Sequence, residues 1–134
     1  MANKVFIDTV FVIALINEND QHHQKALTSS NSLKNHTFVT TDAVLLEVGN
    51  ALAKNYKQEA IEVIQNFEAS DDTEIIHLTP SIFRKAFEIY KSYQDKTWGL
   101  VDCISFTVMQ DFGITDALTA DKHFGQFGFN ILMK

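Results

Sequence analysis

Asp8 interrupts an apolar stretch, VFIDTVFVIALI (residues 5–16), with Val5, Phe6 and Ile7 before it and the run from Val10 to Ile16 after Thr9. A carboxylate buried there needs a proton, a partner or a metal, because an unpaired buried charge costs several kcal/mol. Three further acids stand at similar positions. Glu47 lies in TTDAVLLEVGNAL. On a helix it would sit about 40° from Ala51 and about 60° from Val44, at the edge of the apolar face and toward the core margin. Asp102 opens LVDCISFTVMQDFG, and Asp121 follows DALTA. Taken singly, Asp102, Asp121 and Glu47 also read as a first-turn acid, a turn cap and a solvated flank. Gathered at one place, four carboxylates would repel, raising some of their pKa values unless cations neutralise them. Hard divalent ions such as Mg²⁺ or Mn²⁺ take oxygen ligands, whereas His and Cys here do not recur at zinc-like spacing. Such a site suits hydrolysis of a phosphodiester, in which metal ions activate water and stabilise the oxygens of an in-line displacement.

The elements that would position these acids alternate. Residues 4–7 (KVFI) read as a short buried strand, and a helix starts at Thr9 and runs to about residue 17. Residues 22–33 form a second helix, and HTFVT the next strand. The segment from 40 to 56 is a helix capped by Thr41 or Asp42, with Val44, Leu45, Val48, Ala51 and Leu52 along one face. QEAIEVIQNFEA continues as helix, EIIHL is a third strand, and Thr79-Pro80 caps a helix through SIFRKAFEIYKSY. A further helix covers LVDCISFTVMQDFG, with Gly113 just past its end. ITDALTA holds a fourth strand, FNILM a fifth, and HFGQFGF between them reads as core and turn packing. Strands alternating with helices imply a parallel sheet covered on both faces, with ligands beyond the carboxyl ends of its strands.

At 134 residues, the chain (1–134) is expected to be a single domain. A net charge of -6 argues against a non-specific basic nucleic-acid binder or an anionic-membrane binder. It leaves nucleic acid open as a substrate, since metal ions offset a carboxylate cluster. Cys103 is the one cysteine, so no internal disulfide forms and a reducing cytoplasm fits. The run from Val10 is too short to span a bilayer, and Asp8 spoils it as a signal peptide.

At FIDTVFVIAL, TTDAVLLEVGNAL, WGLVDCISFTVM and ALTADKHFGQFGF, in that order, the chain resembles the PIN-domain family, and within it the single-domain VapC-like toxins. The resemblance implies a three-layer α/β/α fold with a central, mostly parallel sheet of about five strands. It implies an Mg²⁺- or Mn²⁺-dependent endoribonuclease, with the family's acids at Asp8, Glu47, Asp102 and Asp121 and a supporting hydroxyl at Thr119. It also implies a small antitoxin partner that blocks the active site, and often a homodimer. Two positions depart from the family: Val101 stands where relatives often carry Thr or Ser, and Val10 replaces a common small polar residue.

Among the remaining residues, Lys54, Lys57, Lys96 and Lys122 are candidate phosphate contacts. Asp95 reads as a loop acid, His22 and His23 as solvated, and Lys122-His123 as a surface pair. Trp98, Cys103, Phe124, Phe127 and Phe129 read as core packing. The competing function is a non-catalytic PIN-like module that binds RNA or protein. A receiver-like phosphoacceptor lacks its acid pair here, and a haloacid-dehalogenase-like phosphatase would want an Asp where Val10 stands.

Overall fold

The computed structural model describes residues 4–134. Its elements run β1 (Lys4–Ile7), α1 (Thr9–Ile16), α2 (His23–Ser32), β2 (Thr37–Thr41), α3 (Asp42–Leu52), α4 (Lys57–Ala69) and β3 (Thr73–Ile76). They continue as α5 (Pro80–Ser92), α6 (Leu100–Asp111), β4 (Asp116–Leu118), α7 (Lys122–Phe127) and β5 (Asn130–Ile131). The strands form one five-stranded sheet in the order β3-β2-β1-β4-β5, and every neighbouring pair is parallel. The mostly parallel sheet expected from the sequence is therefore parallel throughout.

That order explains the layering. The chain steps outward from β1 through β2 to β3, then crosses back to β4 and β5 on the other side of β1. Right-handed crossovers place the helices of the first two steps on one face and those of the last two on the other. Helix contacts follow suit: α1 packs on α2 and α3, whereas α6 packs on α5 and α7. The direction of travel reverses between β1 and β4, so the crevice beyond their carboxyl ends is the place for a ligand.

Local chemistry sets the boundaries. Val5, Phe6 and Ile7 are buried, as a central parallel strand covered on both faces requires. Thr41 and Thr79 cap α3 and α5, their hydroxyls accepting from the Val44 and Ile82 amides at 3.1 Å each. Every residue from Cys103 to Met109 of α6 is buried, so this helix runs through the core rather than along its surface. Gly113 takes φ +67° just after α6, the left-handed step that glycine makes at low cost. Thr40 Oγ1 donates to the Ile7 carbonyl at 2.9 Å, tying β2 to the end of β1 immediately before Asp8.

One element escaped the sequence reading. Residues 122–127, read as turn and core packing, form the helix α7, closed by Gly128 at φ +112°. Six residues with a glycine inside give too short a window for helical periodicity to show. Among the described residues no helix is long and apolar enough to cross a membrane.

Candidate active site

Asp8 follows β1 directly and is the N-cap of α1. It is 3% exposed. The Thr119 hydroxyl donates to its Oδ2 at 2.8 Å, and the Val10 amide approaches the same oxygen at 3.4 Å. Both of these bonds fall on Oδ2, and the Thr9 backbone adds a further hydrogen bond to the carboxyl. Burial pushes the Asp8 carboxyl up to about 7; the Thr119 bond opposes this, while Asp102 and Asp121 add repulsion. Asp8 is thus both a helix cap and a carboxylate whose burial outweighs the hydrogen bonds it accepts.

Asp121 caps α7 in the same manner, its Oδ1 accepting from the His123 amide at 2.9 Å. The Asp121 amide in turn donates to Thr119 Oγ1 at 3.0 Å, so one threonine fixes both Asp8 and the start of α7. Asp102 sits in the first turn of α6, where its Oδ2 accepts from the Gly99 amide at 3.2 Å. Burial raises its pKa first and the Asp121 charge adds to that, against hydrogen bonds from His123 and Gly99. Three of the acids therefore stand at helix N-termini, whose positive dipole ends offset part of the mutual repulsion.

Glu47 comes from the middle of α3. The turn geometry put it toward the core margin, but it is exposed. What holds it is Thr9, whose hydroxyl donates to Glu47 Oε1 at 2.6 Å. Asp8, Glu47, Asp102 and Asp121 line one groove of about 530 Å³, together with Thr9, Val10, Ile13, Asn50 and Ala51. It opens at the β1/β4 reversal.

His123 is the main correction. The sequence made it half of a surface pair; instead its Nδ1 lies 3.1 Å from Asp102 Oδ2 and 3.4 Å from Asp121 Oδ1. With the proton on Nδ1 the ring donates to the acids, and Nε2 accepts from Thr97 Oγ1 at 3.3 Å. Its spacing two residues after a capping acid was the available signal. Asn50, one turn beyond Glu47 on α3, was also missed, and its i+3 spacing could have pointed to it.

The other residues fall outside the groove. Lys54, Lys57 and Lys122 are exposed, Lys96 pairs with the loop acid Asp95 at 3.1 Å, and none of the four lines the groove. Trp98 is buried and donates from Nε1 to Gln126 Oε1 at 2.8 Å. Cys103 is buried, and desolvation with the neighbouring Asp102 charge pushes its thiol up to about 11, which makes it inert. Phe124 is buried, and Phe127 and Phe129 pack against the core. His23 is not simply solvated: its Nδ1 donates to the Ala14 carbonyl at 2.7 Å and ties α2 to α1.

The donor set fits a divalent cation. Carboxylate oxygens predominate, Asp8 lines the groove with Asp102 and Asp121, and the potential ligand atoms of Asp102, Asp121 and His123 all lie within 4.8 Å of one another. Hard cations choose such oxygen-rich sites, and cationic charge offsets both the burial that raises Asp8 and Asp102 and the smaller repulsion among the acids.

Known proteins share this fold. The chain is 29% identical over 127 residues to the 23S rRNA-specific endonuclease VapC20 of Mycobacterium tuberculosis, covering 93% of this chain and 95% of that one. The crystal structure of VapC20, a Sarcin-Ricin loop cleaving toxin, superposes with a TM-score of 0.84 at 27% identity, over 93% of this chain and 95% of that one. VapBC2 from Rickettsia felis, solved bound to a DNA fragment from its promoter, matches with a TM-score of 0.70 over 96% of each chain. At 16% identity it speaks for the fold alone. Residues 5–130 match the PIN domain as a family, and this chain belongs to it.

Proposed function

We propose that this chain, acting as a single unit over 1–134, is a divalent-metal-dependent endoribonuclease and the toxin of a VapBC-type pair. The observation that carries the reading is the convergence of four carboxylates from four parts of the chain on one groove at the sheet's point of reversal. The relation to a 23S rRNA endonuclease over nearly the whole chain supports RNA as the substrate. On this reading Asp8, Asp102, Asp121 and Glu47 hold Mg²⁺ or Mn²⁺, and Thr119 supports Asp8. The partner is a small antitoxin protein, a second copy completes a homodimer, and the site of action is the cytoplasm.

A bound divalent ion would supply Lewis acidity and a water of lowered pKa at neutral pH. The chain's own groups do the rest. Thr119 holds Asp8 through Oδ2 at the wall of the groove. Thr9 fixes one oxygen of Glu47, and the other, open to solvent, accepts the proton of the attacking water. Water adds at phosphorus, the bond to one ribose oxygen breaks, and that oxygen takes a proton from solvent water as it leaves, while the proton on Glu47 returns to solvent. Lys54, Lys57, Lys96 and Lys122 would lie along outer phosphates rather than at the reacting one.

The test is cleavage of structured and single-stranded RNAs by purified protein with Mg²⁺ or Mn²⁺, with and without EDTA. Turnover that EDTA abolishes and that Asp8→Asn lacks is the expected result. RNA binding with no metal-dependent turnover would make the chain a binding module instead.

A further inference from the structure

The groove does not end at Asp121. Val10, Ile13 and Asp121 also wall a second hollow of about 290 Å³, whose far side is formed by Asp20, Gln21, His22 and Ala120. Val10 and Ile13, three apart on α1, form an apolar strip shared by both hollows. The loop opposite is pinned rather than loose. Asn17 Oδ1 accepts from the Asn19 amide at 2.9 Å and from Tyr56 Oη at 3.1 Å, and Asp20 Oδ1 accepts from the His22 amide at 2.8 Å. Gln21 and His22 ride on that frame. Among the described residues the Gln21 amide and the His22 ring make no hydrogen bond, so their donors and acceptors are unspent.

Charge decides what such a hollow takes. Asp20 and Asp121 would repel a phosphate, but not the neutral, flat base beside it. Single-stranded RNA is read in this way: an apolar wall meets the base face and polar side chains meet its edge. We propose that this hollow is the subsite for the nucleobase next to the scissile phosphate, with Val10 and Ile13 against its face and Gln21 and His22 reading its edge. The inference rests on the RNA-cleaving reading above. It gives Val10 a role as an apolar wall between reaction site and base site.

The experiment separates the two readings by measuring binding without cleavage. Short single-stranded RNAs differing only in the base beside the wild-type cut are labelled and titrated against Asp8→Asn protein; if wild type cuts nothing, RNAs of mixed sequence take their place. The expected result is a preference among bases that Gln21→Ala or His22→Ala, added to Asp8→Asn, reduces about three- to tenfold, the worth of one neutral hydrogen bond. Gln21 is exposed, so its truncation leaves the fold intact. Equal binding of all bases by Asp8→Asn, or a preference that both loop variants leave unchanged, overturns the subsite whether or not wild type cleaves. Absence of metal-dependent cleavage by wild-type protein, with the base preference kept, overturns the enzyme reading and leaves the hollow as a base-binding site.

Discussion

Two successive turns of α6 treat buried groups in opposite ways. The first turn offers Asp102 to a groove where the burial of Asp8 outweighs the hydrogen bonds it accepts. One turn on, Phe106 is packed on every side: its ring centroid lies 4.6 Å from Phe127, 5.0 Å from Phe124 and 5.3 Å from Trp98, the last two edge-on. The polar atom in that cluster, Trp98 Nε1, has its acceptor in Gln126. The ring cluster is neutral and closely packed, whereas the groove gathers carboxylates. The two are nevertheless joined, because Phe124 and Phe127 anchor α7, the helix whose cap is Asp121. Stability is concentrated in the rings, and they hold in place a site that works against it.

The sharpest test of this contrast is Asp8→Asn. It should lower RNA cleavage on the order of a thousandfold and yet stabilise the metal-free protein at alkaline pH. The sign follows from linkage. The folded carboxyl titrates near 7 and the unfolded one near 3.8, so the folded state holds the extra proton between those values. Asp8's contribution is complete below the unfolded value and is lost as pH rises through the folded one. Thermal melts in EDTA should show wild type losing stability relative to Asp8→Asn between about pH 4 and about pH 7, and added Mn²⁺ restoring it. A wild-type curve parallel to the variant's across that range would break the comparison, because Asp8 would then carry no buried charge.

Phe106→Ala tests the other side. A ring removed from a packed core costs about 3–5 kcal/mol, to be read from urea denaturation. Metal titration of the variant at low temperature should show weakened binding as well, since α7 loses its anchor. If stability fell while metal affinity held, rings and groove would be independent.

Much of this was legible in the sequence, and the reasons are local. β1, Asp8 and α1 could be placed because an apolar strand meets an apolar helix across a capping acid, and Thr41, Thr79-Pro80 and Gly113 marked helix ends with side chains that act on their own backbones. What stayed hidden was long-range. Nothing near Glu47 says that it is exposed yet fixed by Thr9, 38 positions earlier. His123 looked like a surface residue because its partners, Thr97 and Asp102, lie 26 and 21 positions away. The loop of residues 17–22 gave no periodicity, and its place beside Asp121 exists only in the folded chain.

Thr119→Val probes the joint between the regions with a smaller effect. The substitution keeps the shape and removes the hydroxyl that donates to Asp8 and accepts from the Asp121 amide. Metal affinity should fall about ten- to a hundredfold, the usual scale for a ligand's supporting bond. The Thr119 bond lowers the Asp8 pKa, so its loss moves the pH dependence of metal binding to the alkaline side. Unchanged affinity would mean that the cap geometry of α1 alone positions Asp8.

The weakest effect belongs to the rim. Lys54 and Lys57 stand beyond the last turn of α3, the helix that carries Glu47 and Asn50, and both are exposed. Neither reaches the groove, so their substitution should leave kcat intact. What they can contribute is counterion release from phosphates farther along the strand. Each phosphate contact adds about 0.7 to the log–log salt slope of single-strand binding, so Lys54→Ala with Lys57→Ala should flatten that slope by about 1.4. Fluorescence anisotropy of labelled RNA on Asp8→Asn protein across a salt series reads it directly. An unchanged slope would place the phosphate track on the opposite rim, beside Lys96 and Lys122, and would set the RNA running across α6 and α7, over the aromatic cluster, instead of along α3.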